Sequence, residues 1–460
     1  MTPRHIRTAW MGGFLTLYAL AIVTIHLPAV ALARTRTGNL RTSRQYGPNH
    51  PRIKSFSVGP NETLSYPSSL DNLPDEHTTF IPLSDPQDYP LGPRGYYGAY
   101  LVFGSASISG NGGTVVLETM DLKNFVFASN LGYSDQVMNP PVAITTCNPI
   151  YDKEFDENYS APGTVLQNPA GPPGNFLMFY EAENHCPGGD WQEPYYATVG
   201  FAISSDYGRT WPGPANSEFG NPNRRPVLVG PKPEPAIKPA PPSANMGDAL
   251  PSAFLDRNDK DENYIYVSYG YSVGPGNGTN DGLIRVARAK VDGDRDLDRD
   301  GDDHPVSFVK WNNGAFNQPG IGGQDSGPVP ASGCPGIQEM SETNYNDDLG
   351  LYLMIFVCNS LQEDGYGAWY YSTATSLDLQ DWTPPQLIEN SRFPILKPCP
   401  LSETTPKSGT QFNGFHPSFM SPGASQGHTR LTGKVFFLNG CDTGLPRAFA
   451  SRAFTITIEQ

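Results

Sequence analysis

Several features are scarce in this 460-residue chain, and each scarcity excludes a class of protein. Charged residues make up only 17% of the sequence, and no segment shows a sustained helical period, which argues against coiled coils and helix bundles. The six cysteines form no CxxC pair, which disfavours zinc and redox sites. Lys and Arg are few, 31 against 46 Asp and Glu, and this acidic balance disfavours nucleic acid as a partner.

Turn-forming and apolar residues are abundant. The chain contains 48 Gly and 46 Pro, together with 38% hydrophobic and 11% aromatic residues. That much apolar material is enough for a large core, whereas the glycines and prolines interrupt long elements. The composition therefore predicts a loop-rich, mostly β globular protein.

The N-terminal segment reads as a targeting signal. Arg4 and Arg7 precede an uncharged apolar stretch that ends in Ala31-Leu-Ala33, so residues 1–33 are predicted to be a cleaved secretory signal, with an uncleaved anchor as the alternative. Residues 34–75 are polar and poor in periodic pattern, which predicts an extended N-terminal arm. We expect a secreted protein without stable membrane association once the signal is removed.

The cysteine count fits disulfides in an exported chain. Sequential pairing keeps each bridge within or between neighbouring units. Of the 15 connectivities that six cysteines allow, we therefore expect Cys147–Cys186, Cys334–Cys358 and Cys399–Cys441.

Residues 76–460 contain a recurring unit of two β-rich runs joined by a turn. The hairpins fall at 95–125, 175–211, 263–290, 350–382 and 435–458. Five hairpin-centred units with long insertions are typical of a β-propeller of four-stranded blades. The sequence predicts an all-β fold, a five-bladed β-propeller with long inter-blade loops, and the alternative is a two-sheet sandwich.

An acidic run predicts a cation site. Asp296, Asp298, Asp300 and Asp302 alternate along the chain, and Gly301 stands where a calcium loop turns sharply. Position twelve of the loop is Ser307 rather than Glu, so we expect a structural calcium loop that only resembles an EF-hand. The alternative is a solvated acidic turn. No organic cofactor is expected.

One turn motif carries a family resemblance. Ser204-Ser-Asp206-Tyr-Gly208-Arg-Thr-Trp211 fits the Asp-box of sialidases and other propellers, in which the Asp accepts backbone N–H bonds across a tight hairpin. Related hairpins lie at 118–125, before this motif, and at 376–382, after it. Together with the Asp85-Pro86 dipeptide before the first unit, these motifs resemble the superfamily of five-bladed propeller glycoside hydrolases that includes family 43.

The resemblance implies roles for particular residues. Asp85 would be the general base, Asp248 would tune the pKa of the acid, and Glu339 would be the general acid, with Glu342 as second choice. His416 would lie near the central axis and hold an ion or water. The Glu-Gly-Pro that usually surrounds the acid in this superfamily is absent here.

Further residues are candidates for sugar binding. Tyr180 and Glu181 end a strand of the second unit, where propeller loops build their pocket, and Trp311 offers a face on which a sugar could stack. The predicted function is a secreted glycoside hydrolase that acts on a carbohydrate by acid/base catalysis. A non-catalytic propeller that binds carbohydrate or protein is the alternative, and a calcium-stabilised adhesion protein is a third.

Overall fold

The computed structural model describes part of the chain in detail. The described residues are 52–71, 73–74, 76–83, 99–108, 111–138, 155–156, 159–168, 172, 174–184, 196–211, 224–230, 246–256, 263–272, 283–291, 307–330, 332–334, 336–346, 349–359, 367–375, 381–393, 414–420, 430–439 and 448–459. Contacts divide the chain into residues 1–45 and 46–460, and every described residue belongs to the second unit.

The described residues form 23 strands and one short 3₁₀ helix, Ala128–Leu131. The first strand is β1 (Arg52–Thr63), and the others form five groups that we call blades. Blade 1 has β2 (Leu70–Asp71), β3 (Thr79–Pro82), β4 (Tyr100–Ile108), β5 (Asn111–Thr119), β6 (Val126–Phe127) and β7 (Gln136–Met138). Blade 2 has β8 (Tyr159–Gln167), β9 (Phe176–Asn184), β10 (Tyr196–Ser204) and β11 (Arg224–Leu228). Blade 3 has β12 (Met246–Asp256), β13 (Asn263–Ser272), β14 (Arg285–Val291), β15 (Val309–Asn312) and β16 (Ala315–Pro319). Blade 4 has β17 (Ile337–Asn346), β18 (Leu351–Asn359), β19 (Gly367–Ala374) and β20 (Gln386–Leu387), and blade 5 has β21 (Phe415–Met420), β22 (Arg430–Asn439) and β23 (Ala448–Glu459).

In blades 2 to 5 strands adjacent in the chain pair antiparallel with one another. In blade 1, β4 pairs with β2, β3 and β5, and β5 also pairs with β6 and β7. A short parallel contact of β12 with β10, Tyr196 opposite Met246 and Ala197 opposite Gly247, joins blades 2 and 3 into one sheet. The hairpins predicted from the sequence are β4–β5, β9–β10, β13–β14, β18–β19 and β22–β23, the central pair of each blade.

The core of the described chain is divided into five hydrophobic clusters, one between each pair of neighbouring blades. Representative rings are Phe103, Phe176 and Trp211 between blades 1 and 2, Phe179, Phe201 and Phe308 between 2 and 3, Tyr266, Tyr352 and Phe356 between 3 and 4, Trp369 and Phe437 between 4 and 5, and Phe436, Phe449 and Phe125 between 5 and 1. Five blades with five interfaces close into a ring.

The five innermost strands surround a central cavity of about 430 Å³. Residues 77–80, 163–166, 252–255, 342–345 and 418–420, one segment from each blade, line it. Side-chain oxygens on these strands accept backbone N–H groups from the neighbouring blade. Val165 donates to Thr79 Oγ1 (3.0 Å), Ala253 to Thr164 Oγ1 (3.0 Å), Phe419 to Glu342 Oε2, and Thr78 to Ser418 Oγ (2.7 Å). The polar residues of the inner strands thus connect the blades around the axis.

Strand β1 completes blade 5 as its outermost strand by pairing along its length with β23. Residues 52–63 therefore belong to the propeller and not to the N-terminal arm that the sequence predicts over 34–75. Phe56 and Val58 face the core, as the period of a half-buried strand requires, but Gly59-Pro60 interrupts the pattern. Because the last blade takes its outer strand from the start of the propeller sequence, the two ends of the domain are tied together.

The turn after β10 has the hydrogen bonds expected of its sequence. Asp206 Oδ1 accepts the Thr210 N–H (2.9 Å), and Gly208 N donates to Ser204 Oγ (2.9 Å). Gly208 has a φ of 78°, and a Cβ there would lie 2.7 Å from the Phe103 ring, so both conformation and packing require glycine. In the turn that follows β5, Asp121 accepts two backbone N–H groups in a similar way.

The all-β propeller prediction is confirmed, and so is the Cys334–Cys358 disulfide. The other four cysteines lie outside the described residues. None of the helices in the described ranges is long and apolar enough to cross a membrane.

Candidate active site

Four of the five inner strands change register: β8 does so between Pro162 and Thr164, and three others do so near their N-terminal ends. The three N-terminal shifts lie between Ala249 and Ser252 in β12, between Glu339 and Glu342 in β17, and between Phe415 and Ser418 in β21. Each of these three contains a residue in the left-handed region, Leu250 (φ 56°), Met340 (φ 51°) and His416 (φ 50°). Such a shift turns backbone N–H groups and side chains out of the regular ladder, and here the freed groups meet near the axis.

A cluster of carboxyl groups lies where these strands meet. Glu181 and Glu183 are on the same face of β9, two residues apart, opposite Ala161 and Tyr159 of the inner strand β8. Glu181 is buried, with 3% of its surface exposed, and Glu183 is partly exposed. Glu181 Oε2 accepts the N–H of Leu250 at 2.7 Å, which links blade 2 to the register shift of blade 3.

Burial, together with repulsion from and a hydrogen bond to Glu183, raises the pKa of Glu181 to about 8. Hydrogen bonds with Glu76 and the Leu250 N–H oppose this shift because they stabilise the ionised form. Glu181 is therefore protonated at neutral pH. A carboxyl kept protonated at that pH is what the acid of acid/base catalysis requires.

Blades 1 and 5 supply the remaining groups of the cluster. Glu76 hydrogen-bonds to Glu181, and its Oε2 lies 3.8 Å from His416 Nδ1. The His416 N–H points to Met340 Sδ at 3.4 Å, and the His77 ring stands edge-on to that of His416. Burial lowers the pKa of His77 to about 4, so this imidazole is neutral at physiological pH. We call Glu76, Glu181, Glu183 and His416 the axial cluster.

Glu342 lies beyond the register shift of β17 and is part of the cavity wall. Its carboxyl accepts the Phe419 N–H of the neighbouring blade. The hydroxyls of Thr164 on β8 and Ser418 on β21 accept backbone N–H groups in the same way. Burial raises the pKa of Glu342 to about 8, and the Phe419 hydrogen bond opposes the shift.

This shift predicts a pH-dependent gain in stability for Glu342→Gln. The folded pKa lies above the unfolded one, so the folded protein binds an extra proton between them and loses stability as pH rises from about 4.5 toward 8. An amide still accepts the Phe419 N–H and carries no charge. We expect the melting temperature of the variant to equal the wild type in acid and to exceed it in alkali. A difference independent of pH, or one matched by the exposed control Glu459→Gln, would contradict the shift.

Asp248 lies in a buried charge network. Lys310 Nζ is 2.9 Å from Asp248 Oδ2 and 3.3 Å from Asp325 Oδ2, and the side chains of Lys310 and Asp248 are fully buried. Arg285 Nε pairs with Asp325 Oδ1 at 3.0 Å, and the Tyr269 hydroxyl donates to Asp325 Oδ2 at 2.9 Å. Burial raises the pKa of Asp248, and Lys310 opposes that shift. Asp248 thus contacts a lysine of blade 3 and is not among the residues that line the cavity.

The predicted site residues are distributed as follows. Asp85 and the calcium residues Asp296, Asp298, Asp300 and Asp302 lie outside the described residues. Glu339 is partly exposed on β17, immediately before Met340. Glu181 and His416 are brought together through Glu76.

Two residues that the sequence predicts to bind sugar, Tyr180 and Trp311, are core residues. Tyr180 is fully buried in the cluster between blades 1 and 2, and its hydroxyl donates to Asp156 Oδ2 at 2.8 Å. Trp311 is 9% exposed. Neither ring presents a free face on which a sugar could stack.

Two important residues, Glu76 and Lys310, were missed from the sequence. A signal for the inner strands does exist: Leu250-Pro-Ser252 and His416-Pro-Ser418 carry the same Pro-Ser after the left-handed residue. This repeat marks the register shifts of β12 and β21, but it does not identify which acids on other strands face them.

Within the described ranges, no group of three or more His, Cys, Asp or Glu side chains is placed to hold a metal ion.

No protein-family model matches the sequence. No curated protein matches it either. Solved structures do resemble it. They include the catalytic domain of a family 62 α-L-arabinofuranosidase from Coprinopsis cinerea (13% identity, 87% of this chain and 97% of that one, TM-score 0.41). A Podospora anserina α-L-arabinofuranosidase, solved with cellotriose, gives 13% identity, 88% and 98% coverage and a TM-score of 0.39. An endo-1,5-α-L-arabinanase from Thermotoga petrophila gives 14% identity, 85% and 72% coverage and a TM-score of 0.39. The chain is thus similar in structure to solved glycoside hydrolases.

Proposed function

We propose that the protein is a glycoside hydrolase that cleaves O-glycosidic bonds by acid/base catalysis at the axial cluster. The observation that carries this proposal is the buried Glu181, which is protonated at neutral pH and hydrogen-bonds to Glu76 of blade 1 and to the Leu250 N–H of blade 3. Glycoside hydrolysis needs such a protonated carboxyl together with an ionised one.

In this proposal Glu181 is the general acid. Its proton passes to the glycosidic oxygen as the bond between that oxygen and the anomeric carbon breaks. The proton of the water that attacks the anomeric carbon passes to a second, ionised carboxylate across the scissile bond, roughly 5–9.5 Å from the acid. Glu183 is hydrogen-bonded to Glu181 and so lies too close to be that base; it helps to keep Glu181 protonated. Glu76 and the Leu250 N–H hold Glu181 in place.

The roles proposed here differ from those that the sequence resemblance implies. Asp248 is paired with the buried Lys310, whereas Glu181 has the raised pKa that a general acid needs and contacts residues of blades 1 and 3. Glu339 remains the competing assignment for the acid. Secretion, a structural calcium ion at 296–302 and a carbohydrate partner remain predictions of the same proposal.

The direct test is release of reducing sugar by residues 34–460, produced with calcium, on arabinans, xylans, fructans, galactans and sialylated glycans. We expect release from one class of substrate, with a bell-shaped pH profile whose alkaline limb lies near the pKa of Glu181. Binding to a glycan without release from any of them would favour the non-catalytic propeller.

A further inference from the structure

The buried charge network of blade 3 is connected to the axial cluster through three residues of one strand. Asp248, held by Lys310, stands two residues before Leu250, whose N–H donates to Glu181. The network and the proposed acid are thus joined by the segment Asp248-Ala249-Leu250, which lies at the register shift of β12.

This segment needs an anchor. Leu250 adopts a φ of 56°, a left-handed conformation that is sterically strained for a non-glycine residue. A strained conformation persists only where its surroundings fix it. On the N-terminal side Gly247 packs on Ala197 of blade 2, where a Cβ would lie 2.1 Å from the Ala197 carbonyl oxygen, and Asp248 is fixed by the ion pair.

Lys310 is itself held in one position by several acceptors. Its Nζ donates to the Val229 carbonyl of blade 2 at 2.9 Å and to Asp248 at 2.9 Å, and it also contacts Asp325. Since the side chain is fully buried, water does not solvate its charge, and these acceptors compensate it instead. A lysine so placed fixes Asp248 relative to both blades.

We propose that Lys310 is a positioning residue: by binding Asp248 it holds the Leu250 N–H against the Glu181 carboxyl. The inference rests on the proposed function for its catalytic meaning. The groups that face Glu181 are Glu76, Glu183 and the Leu250 N–H, and those around Lys310 are Asp248, Asp325, Tyr269 and, through Asp325, Arg285.

The test follows the titration of Glu181 by infrared spectroscopy, using the band that Glu181→Gln removes, so that no substrate is needed. Loss of the Leu250 hydrogen bond removes a contact to the ionised form. In the charge-neutral double variant Lys310→Met/Asp248→Asn we therefore expect the Glu181 titration to move up by about one to two pH units. Lys310→Arg, which keeps a donor in place, should show a smaller shift.

The single variants separate positioning from simple charge. A purely electrostatic effect predicts opposite shifts for Lys310→Met and Asp248→Asn and no shift for the double variant. Positioning predicts an upward shift in all three. Lys434→Met is the matched control, because it removes an ion pair of 2.7 Å with Glu62 in blade 5, and it should leave the titration unchanged.

The alkaline limb of the hydrolysis profile should move with the infrared titration. A folded double variant with an unchanged Glu181 titration overturns the inference, whether or not the wild type hydrolyses a glycan. An upward titration shift in a protein that hydrolyses nothing supports the positioning role and instead overturns the proposed function.

Discussion

Glu181→Gln is expected to lower the rate of glycan hydrolysis by about a hundredfold to ten-thousandfold, which is the usual contribution of a general acid. The amide still accepts the Leu250 N–H at the same position but has no proton to give to the leaving oxygen. The melting temperature should be unchanged or higher at neutral pH, because Gln removes a carboxyl whose ionisation burial disfavours.

The control for this prediction is Glu339→Gln, the acid that the sequence resemblance favours. We expect it to keep most of the activity. Substrate chemistry gives a second check, since a glycoside with an activated leaving group needs little protonation and should lose less activity in Glu181→Gln than a natural polysaccharide does. Equal losses on both substrates, or a greater loss in Glu339→Gln, would move the acid away from Glu181.

Lys310→Met is expected to lower the free energy of unfolding by about 3–5 kcal/mol, the cost of removing one partner of a buried ion pair. The variant leaves Asp248 buried without its cation, while Asp325 keeps Arg285. Urea or thermal unfolding measures the loss directly.

The double variant Lys310→Met/Asp248→Asn should recover most of this loss, because no uncompensated charge remains inside blade 3. Lys434→Met should cost less than about 1 kcal/mol, since its pair with Glu62 is partly exposed to solvent. If Lys310→Met cost no more than Lys434→Met, the buried network would not be important for the stability of the fold.

The sequence predicted the architecture because the central hairpin of each blade carries long apolar runs, such as Leu351–Val357, that period and composition reveal. The innermost strands were not recognised. They are short or interrupted by register shifts, and they carry Thr, Ser and Glu that hydrogen-bond across blades instead of an apolar face.

The site was only partly predictable for the same reason. Glu181 and His416 were singled out as sugar-binding residues, and Glu342 was a second choice for the acid. Glu76 was missed because its contact with Glu181 joins residues 105 positions apart, and Lys310 because a lysine on an outer strand gives no sign that it reaches Asp248. Contacts of this kind depend on the closure of the ring, which local patterns do not encode.

The central claim is that a glycosidic bond is cleaved beside Glu181, and the structure of Glu181→Gln bound to an oligosaccharide of the class that the wild type hydrolyses tests it most directly. The account predicts the glycosidic oxygen within hydrogen-bond distance of the residue 181 amide. A sugar bound with its scissile bond at Glu339, or only on the outer surface of the blades, would contradict it.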